Sequence, residues 1–434
     1  MLPPELSALN LSEPVGSRLA DVLRILGVLP GEPLADASDL VGANWRNPQA
    51  ALPFLTAMFA PRGPFAILSA SRDAEGVINI DVTDKKQHAL LVRAGFDDKD
   101  RVRLLSISRP PPEGVEIRPV REEDYPLLAE LERESPIETG ADSYRLYRPN
   151  LAQLVALQGG GNTWVAWRGA RPVAFRGFAL KTLHVGGQPL RLSLSQFAVV
   201  HPQERGHGFM NVFMRQHREE LAPNVDHFLA HFDEGNSAVI ATLVGAGGQR
   251  LVWRRKVKML HFKCAPSSAD FGAIGTRNDA GRIAESLNAA HAGKVLFDRQ
   301  DAASVEAKLS RVPQAYSFQN VLMSEHAFMG VWLSGEQIED TKNGVTSRRR
   351  LATVLDYGFD GDEGLEELLR LLAAWCARCG EAGATHLVLY TNDGAREAEP
   401  LIAQAAYVDS FLMQSSLPEP PANGPPALTD PLFI

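Results

Sequence analysis

The chain has 434 residues, of which 45% are hydrophobic and 22% charged, with a net charge of −8. That length suits roughly three soluble globular domains. The acidic balance argues against general nucleic-acid binding, no apolar run reaches the ~20 residues that span a bilayer, and the start "MLPPELSALNLSEPVG" lacks the basic and apolar parts of a secretory signal. A cytoplasmic protein with no membrane partner is expected.

In chain order, "SRLADVLRILGVL" (17–29) and "NPQAALPFLTAMFA" (47–60) predict helices. "INIDVTDKKQHALLVRAGFDDKDRVRLLSIS" (78–108) predicts strand, helix, strand, with Asp84 opening the helix and Gly95 near its close. Residues 1–112 therefore read as an α/β region, either half of a larger unit or an unrelated cap. The proline run in "SRPPPEGV" (108–115) separates it from the central segment.

"VEIRPVREEDYPLLAELERE" (115–134) predicts a strand, a polar turn and a helix, and "ESPIETGADSYRLYRPN" (134–150) a loop carrying Tyr144 and Tyr147. "TWVAWRGARPVAFRGFAL" (163–180) predicts a hairpin. In "RLSLSQFAVV" (191–200), Leu192, Leu194, Ala198 and Val200 alternate with Arg191, Ser193 and Ser195, the period of a strand. Phe209, Val212, Phe213 and Leu221 then fit one face of a helix that starts near Gly208. Between them lies "HPQERGHGFM" (201–210), glycine-rich where a strand hands over to a helix. The first N–H groups of a helix lack partners within it and attract anions, and glycine lets backbone approach a ligand closely. No Walker-type run is present, and Asn211 stands where a dinucleotide fingerprint needs its third glycine.

Gln203, Gly206 and Gly208 fit Gln/Arg-x-x-Gly-x-Gly/Ala. This resembles the pyrophosphate loop of the GNAT superfamily of acyl-CoA N-acyltransferases. The flanks extend the resemblance: "DHFLAHFDEGNSAVIATLVGAGG" (226–248) is similar to the fifth strand and its helix, with Asn236 at the opening and Gly247 at the close, and "RLVWRRKVKMLHF" (250–262) would close the sheet. The resemblance implies a mixed α/β sheet of GNAT type over 113–262. It also implies acetyl-CoA, or another acyl-CoA, as co-substrate and a small-molecule or peptide amine as acceptor, with no metal. The pantetheine arm would pair with strand backbone at Phe197, Ala198 and Val199. The loop residues Gln203, Glu204, Arg205, Gly206, His207, Gly208 and Phe209 would hold the diphosphate, and Asn236 would bond the pantetheine arm. His231, Asp233 and Glu234, at the end of the fifth strand, are candidates for the base that takes the ammonium proton. Ser195 and Gln196 are candidates for positioning substrate. Many GNAT members place a tyrosine seven residues after the Asn as the thiolate's proton donor; here that position is Leu243.

Residues 263–281 read as a linker, 282–418 as a second GNAT-like domain and 419–434, rich in proline, as a tail. "QAYSFQNVLM" (314–323) and "AFMGVWLSGEQ" (327–337) predict a strand pair. "RRRLATVLDYGFDGDEGLEELLRLLAAW" (348–375) predicts a strand, loop and helix, and "HLVLYTNDGAREAEPLIAQAAYVDSFLMQSS" (386–416) repeats strand, helix, strand. Asp360, Asp362 and Glu363 stand where the first unit has Gly-x-Gly, so this copy is read as degenerate, without CoA. Leu365, Leu368, Leu369, Leu372 and Trp375 recur at helical spacing and read as a core face. Cys376 and Cys379 lie on the same helix and read as packed side chains. The leading expectation is N-acyl transfer from acyl-CoA to a primary amine. A non-catalytic acyl-CoA-binding regulator and a tandem-GNAT aminoacyl transferase are the alternatives.

Overall fold

The computed structural model of the chain describes residues 3–30, 63–74, 76–85, 89–108, 114–139, 142–185, 188–221, 225–233, 253–267, 271–292, 294, 297–342, 344–392 and 394–415. The chain divides into two compact units, one made of 1–115, 204–216 and 237–250, the other of 116–203, 217–236 and 251–434.

In the first unit, α1 (Pro4–Ser7) and α2 (Glu13–Ile25) accompany a four-stranded sheet. Its strands β1 (Ala66–Arg72), β2 (Ile78–Thr83), β3 (Ala89–Phe96) and β4 (Val102–Ser108) follow one another in an antiparallel meander. Leu19, Val22, Leu23 and Leu26 pack against Ile78, Ile80, Val82, Leu90, Val92 and Ala94. The helix expected within 84–96 is therefore strand β3. Its residues have helix-forming types, but Leu90, Val92 and Ala94 are buried at a period of two, and pairing on both edges outweighs propensity. The helix expected at 47–60 lies outside the described residues.

The second unit opens with β5 (Val115–Pro119) and α3 (Tyr125–Glu134). Asp124 ends the turn between them. It accepts a bond from the Arg118 guanidinium at 2.7 Å and one from the Arg121 N–H at 2.7 Å, and the Arg118 bond, ahead of the others, holds its carboxyl below the ordinary range. Segment 134–150 is more than a loop: β6 (Ile137–Thr139) and β7 (Asp142–Tyr147) form a hairpin, and Tyr144 packs beside Met259 and Ile338. Then come α4 (Leu151–Leu157), β8 (Asn162–Arg168), β9 (Arg171–Val185), β10 (Gln188–Val200), β11 (His227–Asp233) and β12 (Trp253–Lys263); α5 (Phe209–Leu221) follows β10 in the chain, with residues 209–216 counted in the first unit and 217–221 in the second.

The C-terminal half repeats the plan. The segment expected to be a linker carries β13 (Ala273–Ile274), paired with β14 (Val321–Met323), and a turn in which Asp279 accepts from the Thr276 N–H at 2.9 Å, as Asp124 does from Arg121. After α6 (Ala280–His291) and α7 (Ala302–Arg311) come β15 (Ala327–Trp332), β16 (Gln337–Lys342), β17 (Val345–Phe359), α8 (Gly361–Glu381), β18 (His386–Asn392), α9 (Ala398–Gln404) and β19 (Tyr407–Ser415). Leu368, Leu371, Leu372 and Trp375 of α8 are buried in this half's own core, with Leu365 and Leu369 packed at its border.

One sheet joins both halves, in the order β13-β14-β15-β17-β18-β12-β19-β11-β10-β9-β8-β5. The last strands are exchanged. β12, expected to close the first GNAT-like sheet, lies between β18 and β19, and β19 lies between β12 and β11. Each half thus completes its sheet with the other's final strand.

Candidate active site

The sheet opens beside β10. β10 and β11 run parallel and pair only over Leu192–Ser195 with His227–Ala230. Beyond that, β10 continues to Val200 and β11 to Asp233. The cause is local. A bulge lies between Gln196, opposite Gly177, and Val199, opposite Phe175, so that Phe197 and Ala198 together face Arg176. Phe197 takes a left-handed φ of 46°, which a bulky residue rarely adopts. Its ring is held in the core with Phe175 and Leu128, and Gly177 makes the room: a Cβ there would lie 2.7 Å from Phe197 Cδ2. Gly177→Ala is therefore expected to displace the ring and destabilise the fold by about 1–3 kcal/mol. Thermal unfolding checks this, and an unchanged Tm would show that the bulge is not held in this way.

Some of the expected site residues lie on β10 and β11. Ala198 is exposed and Val199 partly so, as suits strand backbone left without a neighbour. Ser195, the last paired residue, accepts a bond from Arg176 Nη2 at 2.6 Å. Gln196 is buried. His231 lies just past the last β10 partner and is half-buried, and Asp233 ends β11 opposite Phe411. Glu234, Asn236, Leu243 and Gly247 lie outside the described residues.

After Val200 the chain makes a short 3-10 turn over Pro202–Glu204 and enters α5 at Phe209. Gly206 and Gly208 have φ of 82° and 76°, so both glycines are used for conformations that other residues resist. An added Cβ at Gly206 would meet nothing within 4 Å. Glu204 Oε2 lies 2.9 Å from His207 Nδ1, which ties the loop to itself, while Gln203 and Arg205 are exposed. Further along α5, His217 anchors the helix: its ring stacks on Phe178 with centroids 3.7 Å apart, and Nε2 is 3.1 Å from Ser193 Oγ.

Two charged groups near the opening were not legible in the sequence. Arg176 is buried, and burial pulls its pKa down to about 10, which still leaves it charged at neutral pH. On the other face of the sheet, Arg148 stands 5.4 Å from the centroid of the Phe197 ring. Its Nη1 donates to Glu132 Oε1 at 2.6 Å, and its Nε is 3.4 Å from Glu336 Oε1. Burial alone would lower the Arg148 pKa, but these two carboxylates outweigh it and raise the value. Glu132 is 3% exposed, and its Oε2 has no hydrogen-bond partner among the described residues. Burial pushes its pKa up, only partly opposed by Arg148. Glu132 comes from α3, Arg148 from the end of the hairpin and Glu336 from the C-terminal half. No spacing rule connects three such positions.

The second half repeats the opening without the loop. β17 and β18 pair in parallel only over Leu351–Thr353 with His386–Val388. Between β17 and α8 there is only Asp360, whereas residues 201–208 separate β10 from α5. Asp362 is paired with Arg396, and Glu363 projects into solvent. Among the described residues no cluster of His, Cys, Asp or Glu is arranged to hold a metal, and no helix is long and apolar enough to cross a membrane.

No family model matches the sequence, and no curated protein matches it. Solved structures do match in fold. N-myristoyltransferase of Saccharomyces cerevisiae with bound myristoyl-CoA is 13% identical with a TM-score of 0.51, over 71% of this chain and 84% of that one. A second structure of that enzyme with bound myristoyl-CoA gives 13% and 0.52, over 70% and 80%. A tandem GNAT protein from the clavulanic acid biosynthesis pathway gives 11% and 0.44, over 70% and 100%. At such identity the first two likenesses speak for the fold and nothing finer: the chain has the GNAT fold, a mixed α/β sheet that opens between two parallel strands.

Proposed function

We propose that the chain is an acyl-CoA N-acyltransferase, moving an acetyl or other acyl group from acyl-CoA to a primary amine by direct transfer. One observation carries this reading. The β10–β11 ladder stops at Ser195 and Ala230, and β10 then leads through two left-handed glycines into a helix N-terminus. Such an opening offers a pantetheine arm the backbone of Phe197–Val199 as a strand would. The N–H groups of Arg205–Phe209 offer the diphosphate a cradle. The acceptor amine must lose a proton before it attacks the thioester carbonyl, and the thiolate must gain one as it leaves. His231, Asp233 and Glu234 are proposed as bases, since β11 carries His231 and Asp233 past its last pair with β10. Arg148, held by Glu132 and Glu336, fixes the Phe197 ring from above and so the shape of the opening. With Leu243 in the usual tyrosine position, another group or a water serves the thiolate.

The test is release of free thiol from acetyl-CoA and longer acyl-CoAs in the presence of a panel of amines, together with native mass spectrometry. Amine-dependent thiol release and one CoA per chain are expected. The single-site expectation rests on the missing loop at Asp360. CoA binding without turnover of any donor would favour the regulator reading. Absence of CoA binding would remove the proposal, and two CoA per chain would overturn the degenerate reading of the second half.

A further inference from the structure

A cavity of about 490 Å³ lies where β17 and β18 part, lined by Val354–Tyr357 and by Leu389 and Tyr390. That volume is within the range of small-molecule sites, ~300–1,000 Å³. About half of its wall is apolar, with Ile283, Leu287, Val305, Leu309 and Phe328 among the side chains. On β9 it reaches Leu180–Thr182, which pair with Arg191–Ser193, two residues before the donor opening begins after Ser195 and four before the bulge at Phe197. At ~3.3 Å per residue, four residues along β10 from Ser193 to Phe197 are about 13 Å.

One ion pair marks the cavity. Lys308 Nζ donates to Asp356 Oδ1 at 2.6 Å, and the Tyr316 hydroxyl donates to Asp356 Oδ2 at 2.9 Å; all three residues line the wall. The side chains of Asp356 and Lys308 keep 15% and 28% of their exposure, so neither is fully buried. The arrangement is built, not incidental. Tyr316 crosses directly over Gly330, opposite Asp356 on β15, where any Cβ would collide with its hydroxyl. Several of the other polar groups are committed or balanced. Arg311 Nη1 donates to the Leu157 carbonyl at 2.8 Å. His291 is neutral, its pKa brought down to about 3 by burial ahead of the nearby Lys294, and its ring is held between Lys294 and the Tyr357 carbonyl. Lys181 and Asp298 add one charge of each sign.

We propose that this cavity is a second small-molecule site that takes a free α-amino acid with a large apolar side chain, its ammonium on Asp356 and its carboxylate on Lys308. A lone amine would meet Asp356 but be repelled by Lys308, and a lone acid the reverse. A zwitterion answers both charges, and the apolar wall selects its side chain. The proposal stands independently of acyl transfer, since neither Asp356 nor Lys308 belongs to the strand, loop and helix read as the donor site.

Calorimetry on the full chain tests it with four probes: L-phenylalanine, phenethylamine (no carboxylate), hydrocinnamate (no ammonium) and glycine (no side chain). Phenylalanine is expected to bind, and each of the others at least tenfold more weakly. Asp356→Asn and Lys308→Met should each weaken phenylalanine at least tenfold in protein that still unfolds cooperatively. The probe series on the unaltered chain decides the matter if a variant does not fold. No heat with phenylalanine up to ~10 mM, where binding would already be weaker than about −3 kcal/mol, overturns the proposal. So does phenethylamine or hydrocinnamate binding as well as phenylalanine, or undiminished binding in both folded variants.

Discussion

A chain cut after Cys264 is expected to aggregate rather than fold. The reason is the exchange of strands. Both neighbours of β12, β18 over Val257–Lys263 and β19 over Trp253–His261, lie beyond the cut. An eleven-residue strand would keep its length and lose partners on both edges. β11 would lose β19 and keep only the short parallel ladder to β10. Leu260 and Phe262, buried in the intact chain, would lose the C-terminal core they fill, at about 1.5–3 kcal/mol each. The whole stability of a domain is only ~5–15 kcal/mol, so such losses are decisive. Expression of 1–264 alone, followed by size exclusion and thermal unfolding, checks this. Coexpression with 265–434 is expected to restore soluble material, because the missing strands are supplied in trans. A soluble 1–264 fragment with a cooperative transition would show that β12 finds a partner within its own half.

The second large effect is expected at the loop. Gly206→Val or Gly208→Val should weaken CoA at least tenfold, equivalent to ~1.4 kcal/mol. Both residues have a left-handed φ, where a β-branched side chain costs about 1–3 kcal/mol. The variant loop then relaxes, and its N–H groups no longer converge. Gly206 is the cleaner site, because an added Cβ meets no protein atom within 4 Å. Loss of binding there would report on the ligand and the backbone, not on packing. Calorimetry with CoA, beside the Tm of the same sample, separates the two. Unchanged affinity in a folded Gly206→Val chain would remove the loop from the proposed site.

What could be read from the sequence was set by neighbours along the chain. The alternation in 191–200, the hairpin at 163–180, and the glycines followed by an amphipathic helix depend on contacts within a few residues, and β10, β8–β9 and α5 stand where that reading puts them. The run of β17 into α8 was legible for the same reason. Where local and distant preferences disagreed, the distant ones won: residues 89–96 have the composition of a helix but form β3, because β2 and β4 pair with both edges.

Other features have no local signature. β12 and β19 each read as a final strand, and nothing in either says which half it completes; edge pairing across the whole chain decides that. Phe197 lies in a regular alternating stretch, yet its left-handed turn depends on the space that Gly177 leaves on the next strand. Glu132, Arg148 and Glu336 are ordinary surface-type residues one at a time. Folding removes them from water together, and in a medium of low polarity a buried charge persists only where opposite charges meet it. The sequence by itself determined those strands and helices whose contacts lie within a few residues, and the glycine loop. Tertiary structure alone decided which strands share edges and which charges share a buried site, because pairing and desolvation act between residues far apart in the chain.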